Sequence, residues 1–354
     1  MTVFNKDSLS KSDLTRLIKD KALELGYALV GITSAEPFEG YREEVESRPG
    51  SEWLVQADKM PYQGADPRDV MSSAKSIICL VEDYSKKSYP EKLVKSFGRC
   101  YLARCYVPKP ESINGLRRAQ FVQFLKDLGI GVDESGLLRI PERYAAARAG
   151  VVTYGGNNFA YAEGCGSFVI VIGIIVDVEL DYDEPTVKRP CPPDCNRCVE
   201  ACPTGALYEK GKLNTHKCML MMEIGPQPIP EEMRPKLGTS IHGCDLCQEA
   251  CPRNKKVLEN PPLKDPFLER LAEEFDLEKV LLLDDGYYER VIYPIAYNYI
   301  PYEARWMFQR NAAIALGNSG DPSHLPALRR AREECPDEVL EYVDWAIVQL
   351  EEQE

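Results

Sequence analysis

Eight cysteines packed into 61 residues constrain this chain more than any other feature. They read Cys191-x3-Cys195-x2-Cys198-x3-Cys202-Pro203, then Cys218, then Cys244-x2-Cys247-x3-Cys251-Pro252. Bacterial two-cluster ferredoxins use Cys-x2-Cys-x2-Cys-x3-Cys-Pro runs in which the fourth thiol of each run ligates the other cluster. Here the first run has one extra residue in its first gap. The second run lacks its first member, and Cys218 is the nearby thiol left to supply it. Crossing the fourth ligands assigns Cys191, Cys195, Cys198 and Cys251 to one [4Fe-4S] cluster, and Cys202, Cys218, Cys244 and Cys247 to a second. Structural zinc is the rival explanation, but zinc ribbons usually show two Cys-x-x-Cys knuckles per site. The remaining cysteines, Cys79, Cys100, Cys105, Cys165 and Cys335, are scattered.

The chain of 354 residues exceeds what one core usually organises, so two or three units are expected. Ser12 is expected to cap a first helix carrying Leu14, Leu17, Ile18, Ala22 and Leu25, stopped at Gly26. Strands are expected at Ala28–Ile32, Ser76–Val81 and Phe168–Val178, with a helix over Leu116–Leu128. Residues 1–185 therefore read as an α/β domain, without a dinucleotide fingerprint. Residues 186–260 are rich in Cys and Pro and read as a small domain held by its inorganic contents. Residues 261–354 return to helix, at Arg305–Leu316, Leu325–Glu334 and Val339–Glu351. The whole is an α+β chain in three parts.

No apolar run reaches the roughly 18 residues of a membrane helix, and the first residues lack an export signal, so a cytoplasmic protein is expected. A formal net charge of -13 argues against broad attraction to phosphate backbones.

The cysteine stretch, CNRCVEACPTGAL and HGCDLCQEACPRNKK, resembles epoxyqueuosine reductase and its relatives, a superfamily shared with the corrinoid-dependent reductive dehalogenases. Ala147-Arg148-Ala149-Gly150, Tyr154-Gly155-Gly156-Asn157-Asn158 and Gly166-Ser167-Phe168 resemble their corrinoid-binding domain. Residues 310–318, RNAAIALGN, resemble the terminal HEAT-type repeat of epoxyqueuosine reductase. The resemblance implies an amino-terminal cobalamin-binding domain, a ferredoxin-like domain and a HEAT-like helical segment. It implies cobalamin contacts from Arg148, Gly150, Tyr154, Gly155, Gly156, Asn157, Asn158, Gly166 and Ser167. No Asp-x-His-x-x-Gly motif accompanies His216, His242 or His324, so the cobalamin is expected base-off. His242, two residues before Cys244, is a candidate for hydrogen bonding to a cluster.

Two departures shape the functional expectation. Gly136 falls where the family's catalytic aspartate would stand, and Asp133 takes that place only with three inserted residues. The tyrosine-histidine stretch is missing from 98–110, and residues 333–354 carry nine carboxylates and no Lys or Arg. The YGGNN form also looks nearer to uncharacterised paralogues than to the tRNA enzyme. The expected activity is reductive elimination or deoxygenation, with two clusters feeding base-off cobalamin. The substrate is expected to be a small molecule or modified nucleoside, the electron donor a ferredoxin or flavodoxin, and tRNA is not expected as a partner. Tyr154 and Asp133 are the candidate proton donors. The alternatives are an electron-transfer or corrinoid-reducing partner protein without its own substrate, and epoxyqueuosine reductase itself.

Overall fold

The computed structural model describes residues 6–52, 55, 61–133, 138–186, 191–259, 263–297 and 299–352. Helix α1, Lys11–Glu24, is capped two residues earlier than expected: Ser10 Oγ accepts from Asp13 N at 3.0 Å. Ser10 has the acid three residues on that a capping box uses.

Three strands follow: β1 (Leu29–Ser34), β2 (Ser76–Asp83) and, after helices α2 (Ile113–Asp127) and α3 (Glu142–Arg148) and the hairpin strands β3 (Thr153–Tyr154) and β4 (Ala160–Tyr161), β5 (Val169–Val176). They form one antiparallel sheet in the order β1-β2-β5, with Cys79 opposite Gly31 on one side and Gly173 on the other. Antiparallel pairing corrects the α/β expectation for this part. The apolar runs that suggested buried strands arise because both faces of this sheet are covered. Ile78, Leu80 and Ile172 pack under α1 and α2 with Ile18, Phe121 and Leu125, while Ile77, Cys79 and Val171 pack under α3 with Ala145, Ala146 and Ala149. Gly31 is required there, because a Cβ would stand 2.2 Å from Ala149 O.

The cysteine region contains α4 (Arg197–Glu200), the hairpin β6 (Leu207–Glu209) and β7 (Lys212–Leu213), α5 (Met219–Ile224) and α6 (Leu246–Glu249). Helices α7 (Pro266–Glu274), α8 (Leu277–Leu281), α9 (Trp306–Gly317), α10 (Leu325–Glu334) and α11 (Asp337–Glu351) follow. Their shared core takes in Met219, Met222 and Ile241 from the cysteine region and Leu93, Phe97 and Leu102 from before α2. Among the described residues no helix is long and apolar enough to cross a membrane.

Candidate iron–sulfur and substrate site

Each cysteine run enters a short helix and stops at proline, α4 before Cys202-Pro203 and α6 before Cys251-Pro252. The folded chain brings thiols of both runs near one another, and Cys247 lies near Cys198 as well as near its expected cluster partners. Cys198 lies within electrostatic reach of Cys191 and Cys251. Cys247 is within reach of Cys218 and Cys202, and Cys244 of Cys247 and Cys218. Among the described residues no three Cys, His, Asp or Glu side chains converge on a point that would hold a single metal ion.

Burial pushes the Cys218 thiol up to about 11 and the Cys247 thiol up to about 12. Such thiols do not ionise alone at neutral pH, so bound iron must stabilise the thiolates and release their protons.

The loop between β3 and β4 leans on this region. Gly156 N donates to Cys191 Sγ at 3.3 Å, and Asn157 Nδ2 donates to Cys247 O at 3.0 Å. Ser167 N donates to Asn254 Oδ1 at 2.9 Å, and Ser167 Oγ donates to Gln248 Oε1 at 2.9 Å. Gln248 and Asn254 are functional seam residues that the cysteine spacing conceals. The one signal for them is that uncharged polar groups stand beside Cys247 and Cys251.

The nine positions that the resemblance gives to cobalamin divide in two. Arg148 is spent on Thr33 Oγ1, Ser34 O and Glu36 O, and Gly150 lies against Glu184 O. A Cβ on Gly155 would meet the Tyr161 ring at 2.3 Å, and one on Gly166 would meet Asn254 Oδ1 at 2.3 Å. Gly156, Asn157 and Ser167 serve the seam. Tyr154 Oη and Asn158 Nδ2, by contrast, are buried with no hydrogen-bond partner among the described residues. Burial pushes the Tyr154 phenol far above its ordinary value, so it stays protonated.

Asp133 N donates to Ile175 O on β5 at 3.0 Å. His242 is wholly buried between Tyr101, 4.4 Å between ring centres, and Phe308. Among the described residues neither of its ring nitrogens has a partner, and burial pushes it down to about 3, so the ring is neutral. His216 and His324 pair with Glu52 and Glu278.

Residues 191–254 match the 4Fe-4S double cluster binding domain family. With that domain docked on an antiparallel sheet unit, the protein is an iron–sulfur oxidoreductase. Epoxyqueuosine reductase from Lactococcus garvieae is 29% identical over 353 residues, covering 94% of this chain and 95% of the relative. The structure of epoxyqueuosine reductase from Streptococcus thermophilus superposes with a TM-score of 0.79 at 23% identity, over 96% of this chain and 91% of that one. A second, of epoxyqueuosine reductase with an epoxyqueuosine-modified tRNA-Tyr stem loop, gives 0.72 at 22% identity, over 97% and 100%. The chain is thus a reductase related to epoxyqueuosine reductases along nearly its whole length. The expectation that it stands nearer to uncharacterised paralogues finds no support in these matches.

Proposed function

We propose that this protein removes the epoxide oxygen of epoxyqueuosine in tRNA, the last of the alternatives raised by the sequence. The observation that carries it is the collinear likeness to epoxyqueuosine reductase over 94% of the chain, and the two crossed thiol sets beside the β3–β4 hairpin fit it. A relative bound to a modified tRNA stem loop also favours tRNA as partner over the charge argument. Net charge averages over the surface and says little about one local face.

The reaction breaks both carbon–oxygen bonds of the epoxide, forms a carbon–carbon double bond and releases water. It consumes two electrons, from a low-potential ferredoxin or flavodoxin, and two protons. When loaded, the two clusters supply single electrons, and base-off cobalamin supplies a low-potential centre for carbon–oxygen cleavage. Cysteines 191, 195, 198 and 251 would hold one cluster, and 202, 218, 244 and 247 the other. Tyr154 Oη and Asn158 Nδ2, the two unpartnered groups, would hold the cobalamin. Tyr154 also keeps a proton at Oη in a buried setting, which suits it to deliver one of the two protons. Asp133, bonded through its backbone to Ile175 of β5, is given no part.

The test is conversion of epoxyqueuosine-containing tRNA by the reconstituted protein under low-potential reduction, followed by nucleoside mass spectrometry. Turnover by the wild type is expected. Tyr154→Phe should cost about 10²–10⁴ in rate, the range of a lost proton donor, and Asp133→Asn should be nearly silent. No turnover by fully loaded protein would overturn the proposal, and a dead Asp133→Asn beside an active Tyr154→Phe would reverse the roles.

A further inference from the structure

The β3–β4 hairpin touches one thiol set at both ends of its sequence. Gly156 N donates to Cys191 Sγ at 3.3 Å. Tyr161 Oη, within electrostatic reach of the Cys251 sulfur, donates to Asn157 Oδ1 at 3.3 Å. In the crossed assignment Cys191 and Cys251 are the first and last ligands of a single cluster, 60 residues apart in the chain. The hairpin is held there by side chains. Asn157 Nδ2 bonds Cys247 O and Tyr161 Oη, both at 3.0 Å. Arg253, two residues beyond Cys251, lies 4.0 Å from the centre of the Tyr161 ring and donates to Thr153 Oγ1. A Cβ on Gly156 would stand 3.5 Å from Cys191 Sγ and 3.2 Å from Lys210 Cγ, so the loop lies close against both.

A cluster gains negative charge when reduced, and much of that charge resides on its sulfurs. Donors aimed at those sulfurs stabilise the reduced form, so the potential rises with each one. The effect is strongest where water is excluded, and Tyr161 and Asn157 are both buried. We infer that the β3–β4 hairpin raises the reduction potential of the cluster on Cys191, Cys195, Cys198 and Cys251, with Tyr161 and Asn157 as positioning residues. This rests on the proposal of two clusters, but not on the identity of the substrate. It gives the amino-terminal unit a job in electron transfer apart from any cofactor it holds, because undocking the hairpin removes the Gly156 N–H from Cys191 Sγ and lowers the potential of that cluster.

The experiment is an anaerobic redox titration of the full chain carrying both clusters, followed by electron paramagnetic resonance. Tyr161→Phe removes one hydroxyl and keeps the ring under Arg253. One of the two midpoint potentials should shift downward, the other should stay, and iron should remain at about eight per chain. Asn157→Ala should shift the same potential in the same direction. Unmoved potentials with full iron would overturn the inference while leaving the cluster assignment intact. A wild-type protein that takes up no iron would instead refute the cluster reading. Should Tyr161→Phe fail to fold, electron–nuclear double resonance on wild type in deuterated solvent decides. Exchangeable protons coupled to one cluster support the inference, and their absence from both clusters overturns it.

Discussion

Arg310 offers the sharpest perturbation of how the carboxy-terminal helices hold the second thiol set. It lies on α9, fully buried, and its guanidinium donates to Met222 O at 2.8 Å, Glu223 O at 3.0 Å, Gly225 O at 3.0 Å and Gln227 O at 3.2 Å. These are the carbonyls at and just beyond the end of α5, the helix that Cys218 begins. A helix end leaves such carbonyls without partners and concentrates negative potential there. Burial pushes Arg310 down to about 10, so it remains charged at neutral pH. Asn311 Nδ2 adds bonds to Glu223 O and Ile241 O, both at 2.9 Å, the latter three residues before Cys244. Hydrogen bonds to a charged group contribute about 1.5–3 kcal/mol each. Four of them share one donor and do not add fully, so Arg310→Ala should cost roughly 5 kcal/mol, comparable with the whole stability of many domains. The loss should fall first on the segment carrying Cys218 and Cys244, taking iron from about eight to about four per chain and leaving one cluster signal. Arg310→Lys keeps the charge but not the planar fork, and should fall between. Iron analysis, electron paramagnetic resonance and thermal unfolding of the loaded proteins would read all three effects. Full iron in Arg310→Ala, with a midpoint temperature within a degree or two of wild type, would refute the reasoning.

Two further outcomes follow from the same geometry. Cys218→Ala should retain about four irons and Cys335→Ala about eight, since Cys335 Sγ donates to Leu281 O at 3.4 Å and accepts from Gln309 Nε2 at 3.6 Å, away from the cysteine runs; equal iron in both variants would break the crossed assignment. Burial raises Glu142 from 4.5 to about 7 in the fold, against the donation of Gly173 N to its carboxylate. A raised pKa means its stabilising protonation is complete below about pH 4.5 and lost as pH rises through about 7. At about 1.4 kcal/mol for each tenfold change in proton affinity, the ceiling is roughly 3 kcal/mol. Glu142→Gln should therefore lose less stability between pH 5 and pH 8 than wild type in urea titrations, and an unchanged difference would count against it.

The double-cluster domain was legible because the signal is local: each run sets its thiols within one loop and short helix, whatever the rest of the chain does. Helix α10 was legible to the residue, since Asp321-Pro322 begins that turn and Cys335-Pro336 ends it. The first cap was missed by two residues because Ser10 and Ser12 both precede the apolar period, and only Asp13 separates them. Strand direction was not legible at all. Apolar runs such as 169–176 report that both faces are covered, and the partner strand decides whether the neighbours run parallel.

The glycine-rich stretch fails differently. In sequence its missing side chains look like room for a ligand, yet Gly155 and Gly166 make room for Tyr161 and Asn254 of the same chain. A close approach looks the same in sequence whether the visitor is a cofactor or another loop. What distinguishes them is the polar atoms left over, and only Tyr154 Oη and Asn158 Nδ2 in that stretch lack partners among the described residues. The hairpin therefore has two sides with different tasks. Gly156 N donates to Cys191 Sγ, while Tyr154 Oη and Asn158 Nδ2 keep unused hydrogen-bonding capacity among the described residues. Substitutions on the two sides should separate in the laboratory, with Tyr161→Phe moving a potential and Tyr154→Phe moving a rate.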